Sequence, residues 1–127
     1  MSKPYLFPSF NEFTLFLFIY MANADGNIDQ TEVDVIVDKV KKIYPEKADP
    51  LKTYHLARLH FFSFSREQVD EIILSNFNHY RKTSFSRKYK IFVDLYDIIN
   101  ADGIVDESEN MSLIKLKTII DQCMQHV

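Results

Sequence analysis

Apolar residues recur along the chain at three- and four-residue intervals in six separate stretches, and no stretch alternates as a strand would. Ser9 and Glu12 make a capping box, after which Phe10, Phe13, Phe16, Leu17 and Tyr20 keep helical spacing and predict a first helix running to Ala24. Asp29 and Glu32 open a second, with Val33, Ile36, Val37, Val40 and Tyr44 on one stripe until Pro45 stops it. Asp49 followed by Pro50 fits an N-cap with proline at the first helical position, and starts a third helix through Leu51, Tyr54, Arg58 and Leu59. Ser65 with Gln68 begins a fourth, which carries Val69, Ile72, Ile73, Phe77 and Tyr80. Beyond the polar stretch 81–84, Phe85, Tyr89, Phe92, Tyr96 and Ile99 form the stripe of a fifth. Asp106 with Glu109 caps a sixth bearing Leu113, Leu116, Ile120 and Cys123. The expected fold is an all-α compact bundle of about six helices.

At 127 residues and 46% hydrophobic content, the chain suits one domain spanning 1–127 with a substantial core. Eleven Phe and seven Tyr against two Gly mean that rings dominate packing and that few loops need left-handed backbone. A net charge of −3 gives no electrostatic footprint for nucleic acid or an anionic membrane, both of which reward a clearly basic face. The apolar run 13–22, broken only by Thr14, is too short to cross a bilayer. Ala22-Asn23-Ala24 after that run imitates a signal-peptidase site, but the preceding segment has one lysine, Lys3, and cleavage would cut into a motif whose second copy is internal. A cytoplasmic location is the expectation. Cys123 lies on an apolar stripe, cannot form an intrachain disulfide and reads as a buried thiol.

The two glycines punctuate a repeated string, NADGNIDQTE at 23–32 and NADGIVDESE at 100–109. A single offset relates Asn23 to Asn100, Gly26 to Gly103 and Glu32 to Glu109, so a helix, an acidic turn and another helix occur once toward each end. This predicts an internal pseudo-twofold repeat that brings the two turns together. Capping alone accounts for part of the motif: Asp29 with Glu32, and Asp106 with Glu109, are good helix starts, and glycine is a good helix stop. It leaves Asp25 and Asp102 unexplained, because a helix C-terminus disfavours negative charge. A divalent cation reverses that penalty and turns the carboxylates into hard oxygen ligands. Asp25, Asp29, Glu32, Asp102, Asp106 and Glu109 are therefore the candidate metal ligands, with calcium, magnesium or manganese as the candidate ion.

With Gly26 aligned to the sixth position of an EF-hand calcium loop, Asn23, Asp25, Asp29 and Glu32 fall at positions three, five, nine and twelve, with Ile28 at the apolar eighth. The second copy aligns through Asn100, Asp102, Val105, Asp106 and Glu109. Position one, normally aspartate, is Met21 in one copy and Ile98 in the other, so both lack the leading ligand. The chain more closely resembles the tellurite-resistance TerB-like domain family. Members are all-helical, of about this length, and carry two acidic motifs of the form Ala-x-x-Asp-Gly-x-apolar-x-x-x-Glu. Ala22 holds the leading place in the first copy, whereas Ile99 substitutes a larger residue in the second. The resemblance implies a divalent-metal-binding helical module of stress or tellurite responses, often tied to membrane-associated complexes. It supports Asp25, Glu32, Asp102 and Glu109 most strongly, with Asp29 and Asp106 as ligands or caps.

Other constellations carry less chemistry. His55, His60, His79 and His126 are scattered, and Arg81, Lys82, Arg87, Lys88 and Lys90, interleaved with Phe85 and Tyr89, read as a solvated linker and helix start. No phosphate loop, strand-borne nucleophile or zinc helix occurs; a two-magnesium phosphate site would need a cationic partner, for which Arg58 is the nominee. The expected function is a non-enzymatic module that binds a divalent cation and presents a surface to a protein partner. The alternative is a metal-free helical scaffold whose acidic turns are only caps.

Overall fold

Helices begin where a side-chain oxygen can take up amides that lack an intrahelical partner. The computed structural model describes residues 5–23, 30–80, 82, 85–100 and 107–124, leaving aside the side chains at 85, 86, 88, 92, 99, 108, 109 and 119–124. Ser9 Oγ accepts from the Glu12 amide at 3.2 Å, supplying one arm of the predicted box at the start of α1 (Phe10–Ala22). After α2 (Gln30–Ile43), Asp49 Oδ1 accepts from the Lys52 amide at 3.0 Å and Pro50 occupies the first turn of α3 (Pro50–Phe62). The complete reciprocal box forms at α4 (Arg66–His79): Gln68 N–H donates to Ser65 Oγ at 3.2 Å, and Ser65 N–H to Gln68 Oε1 at 2.7 Å. Then come α5 (Phe85–Ile99) and α6 (Glu107–Met124), with no strand among the described residues. The all-α bundle of six helices is thus the observed fold.

α1 is the central helix. Its residues from Phe13 through Ile19 are all buried, so the apolar run has no wet side, as expected of a helix surrounded by others. It packs on α2, α3, α5 and α6, while α2 also meets α3 and α5, and α6 meets α4 and α5. Phe13 meets Phe77 of α4 edge-on at 4.9 Å, and Phe16 meets Phe61 of α3 at 5.3 Å. The one polar residue in the run is satisfied locally, because the Thr14 hydroxyl donates to the Phe10 carbonyl at 2.8 Å. Among the described residues no helix is long and apolar enough to cross a membrane.

Two helices turn a different face inward from the one their longest apolar stripe indicates. In α5 the buried positions among the described side chains are Ile91, Leu95 and Ile98, while Tyr89 and Tyr96 from the predicted stripe point outward and Phe85, Phe92 and Ile99 lie outside them. Both sets have helical spacing; aliphatic side chains fill the space against α1, whereas a tyrosine keeps its hydroxyl wet more easily at the surface. In α3, Tyr54, Ala57 and Phe61 face the core, and Leu51 and Leu59 are exposed.

Segment 5–7 ties α3 to α4. The wholly buried Asn76 accepts from the Phe7 amide at 2.9 Å and donates to the Tyr5 carbonyl at 2.8 Å, and the Tyr80 hydroxyl donates to the Phe7 carbonyl. Tyr5 in turn sets its ring edge-on to His60 at 5.0 Å. The far end of α2 returns to the start of α1, where burial and the Glu12 carboxylate push the Tyr44 phenol up to about 12.

Lys39 of α2 bridges to α5 through Asp94 at 2.8 Å and Asp97 at 3.1 Å. Burial opposes the ammonium charge, but the two aspartates outweigh it and raise the pKa above the ordinary lysine value. A pKa raised by folding stabilises the fold below the unfolded value and loses that contribution as pH climbs through the folded one. Thermal melts from neutral pH to about pH 12 are therefore expected to show a steeper alkaline loss for the native chain than for Lys39→Met. At neutral pH Lys39→Met is expected to cost about 1–3 kcal/mol, because Asp94 is left in a largely enclosed place. Equal alkaline slopes in the two proteins would contradict this assignment.

Candidate functional site

The helix ends that enter the acidic turns are built alike. At the close of α1, Asn23 Nδ2 donates to the Ile19 carbonyl at 2.9 Å, and the Asn23 amide donates to the same oxygen at 3.1 Å. At the close of α5, Asn100 Nδ2 donates to the Tyr96 carbonyl at 2.9 Å, and its amide donates there at 3.0 Å. At each helix end the asparagine side chain thus adds a second bond to the one carbonyl that its own backbone amide already takes. Met21 and Ile98, at the place where an EF-hand carries its first aspartate, are both completely buried. A carboxylate there would point into the apolar interior, which gives the departure from the EF-hand pattern a packing cause.

Of the six candidate ligands, Asp25, Asp29, Asp102 and Asp106 lie outside the described residues, and Glu109 lies in α6 with its side chain likewise outside them. Glu32 is described. It sits in the first turn of α2, where the helix dipole favours negative charge, and it is only 3% exposed. Across the α2–α3 packing lies Tyr54, itself buried. Burial raises the Tyr54 phenol, Arg58 pulls it back down, and the Glu32 charge raises it again, so Glu32 and Arg58 act on the same ring from α2 and α3. Sequence reasoning named Arg58 for phosphate chemistry and passed over Tyr54, which looked like any apolar position of its helix. The Arg58 guanidinium instead rests 5.3 Å from the Phe62 ring centre.

Glu32 is the buried acid among the described residues, and its carboxylate is a hard oxygen donor of the kind that calcium, magnesium and manganese take. A low local dielectric raises the worth of any cation brought beside it. No group of three or more His, Cys, Asp or Glu side chains converges among the described residues.

Two of the four histidines and one residue of the basic stretch serve packing. His60 sets its ring edge-on to Tyr5 and Phe7 and tilted to Phe64, His79 sets its ring edge-on to Tyr80, and His55 is exposed, while His126 lies outside the described residues. From the basic stretch, Arg87 lies 5.0 Å from the Phe10 ring centre and donates to Asn11 Oδ1 at 3.3 Å, anchoring the start of α5 on α1. No protein-family model matches the chain, and neither a curated protein nor a solved structure matches it.

Proposed function

We propose that this chain is a non-enzymatic TerB-like helical module that binds a divalent cation through its two acidic Asp-Gly turns and presents a surface to a protein partner. Tellurite resistance or a related stress response is the setting. The observation that carries this reading is the burial of Glu32 beside the first turn. A surface cap has no need of such enclosure, whereas an ion ligand profits from it. The matched helix ends at Asn23 and Asn100 lend support, since they launch both turns from the same local geometry. Further support comes from the packing order. Exchanging α1, α2 and α3 with α5, α6 and α4 maps the α1–α2 contact onto α5–α6, α1–α6 onto α2–α5, and α2–α3 onto α4–α6. The α1–α3 packing has no equally extensive counterpart.

Glu32, Glu109, Asp25 and Asp102 would hold the ion, with Asp29 and Asp106 as ligands or caps. When bound, the cation supplies charge neutralisation and a cross-link; the chain supplies hard oxygens and helix junctions to be linked. Titrating calcium, magnesium or manganese should raise the melting temperature with the logarithm of ion concentration over dissociation constant, by about 2.7 kcal/mol of stability at a hundredfold excess. No response at millimolar ion would leave the metal-free scaffold, in which Glu32 merely completes the start of α2.

A further inference from the structure

We infer that the outer face of α3 is a docking surface for an acidic amphipathic helix of another protein. α3 spends Tyr54, Ala57 and Phe61 on the core and leaves Leu51, Leu56, Leu59 and Phe62 exposed, Leu59 to 70%. Scattered exposed leucines are ordinary, but four large apolar residues on the outer side of one thirteen-residue helix form a stripe. The same face holds the exposed cations Lys52 and Arg58, and α3 contains no acidic residue. Arg58 lies over the Phe62 ring, so charge and apolar surface are offered as one unit. Beyond the N-cap Asp49, whose carboxylate takes the Lys52 amide, the charges that α3 itself contributes to this face are positive on a chain whose net charge is −3.

Charge complementarity selects the occupant. A second copy of the chain, paired antiparallel about a twofold axis midway between Lys52 and Arg58, would set the Lys52 of each copy against the Arg58 of the other, cation on cation. An anionic bilayer would meet an acidic protein, and at 3.6 residues per turn Lys52 falls between Leu56 and Leu59 in the helical projection rather than at the margin of the apolar arc. A helix lying in a membrane keeps its cations toward the polar side. A partner helix with apolar residues at three- and four-residue spacing can pack its ridges on α3 and set carboxylates opposite Lys52 and Arg58. The surface depends on the interaction-module part of the proposed function and is independent of the ion.

The test is selection from a phage-displayed random library of peptides of about four helical turns, panned on the full chain without added divalent ion. Enriched sequences are expected to be net acidic with apolar residues at helical spacing. Their affinity should fall at least tenfold for Leu59→Ser with Phe62→Ser, and for Lys52→Glu with Arg58→Glu. All four side chains are exposed, but Arg58 also acts on Tyr54, so Lys52→Glu alone is the charge variant expected to melt as the parent does and to lose affinity, and Leu74→Ser on α4, also exposed, serves as the control that leaves binding unchanged. Binding should also weaken with salt, as paired surface charges are screened. Enrichment of basic or uncharged peptides, or binding indifferent to the α3 variants, would overturn the proposal. So would capture by phosphatidylserine vesicles, lost in the α3 variants, with no acidic peptide enriched. Because the ion is absent throughout, failure here leaves the metal titration unaffected, and the reverse also holds.

Discussion

Replacing Asp25 and Asp102 together with asparagine is expected to abolish the ion-induced rise in melting temperature. At an ion concentration a hundred times the dissociation constant, the native chain should gain about 2.7 kcal/mol, which for a domain of this size is on the order of 10 °C. The double variant should gain nothing measurable. Without ion it should melt at the native temperature or slightly above, because each substitution removes a negative charge just beyond a helix C-terminus. Metal-free destabilisation would instead assign these aspartates a structural duty. A double variant that still responds to the ion would remove them from the ligand set.

Glu32→Gln with Glu109→Gln makes that experiment sharper. Glutamine serves a capping box as well as glutamate does, so a pure cap should survive the change with little loss of stability. A ligand should not, because the neutral amide is a weaker partner for a hard cation, and ion affinity should fall at least tenfold. The buried place of Glu32 adds a second readout: removing its charge withdraws one of the influences that raise the Tyr54 phenol, so Tyr54 should ionise at lower pH in the variant. Absorbance titration of the tyrosines would detect the change.

Asn76→Ala is expected to cost about 3 kcal/mol and lower the melting temperature by on the order of 10 °C. The side chain is wholly buried and serves the Phe7 amide at one end and the Tyr5 carbonyl at the other. Truncation leaves a buried amide without its acceptor and opens a small void, two penalties that add at one site. Segment 5–7 should loosen from α4, so hydrogen exchange at the Phe7 amide should accelerate more than exchange in α1. A loss below about 1 kcal/mol would mean that water or a neighbouring group replaces the asparagine, and that the segment is held by its rings alone.

Helix boundaries were the most legible feature of the sequence because they rest on local chemistry. Ser65 with Gln68 and Asp49 with Pro50 act within a single turn of backbone, and the capping bonds occur at those residues. The first helix stops at Ala22, two residues before the predicted end, and Asn23 at its C-cap folds its side-chain amide back onto the Ile19 carbonyl. That bond explains the asparagine in the repeat without any ion, a role its EF-hand register had hidden. The inward faces of α3 and α5 were less legible. Leu51 and Leu59 are as apolar as the residues that α3 buries, and α5 offers two stripes with the same period, so spacing could not choose between them. Glu32 was read correctly as a helix-start residue, but its burial depends on what α3 places opposite it.

That the chain is helical, where its helices start, and that two acidic turns share one pattern can all be read from the order of residues. Each of those properties follows from contacts within a few residues. That α1 is surrounded, that Met21 and Ile98 are interior positions, that Asn76 clasps segment 5–7, and that α3 leaves leucines and cations outside follow from how the helices pack. The physical reason is that burial belongs to pairs of helices: which apolar stripe is covered depends on the shape of the neighbour, and no local periodicity contains that shape.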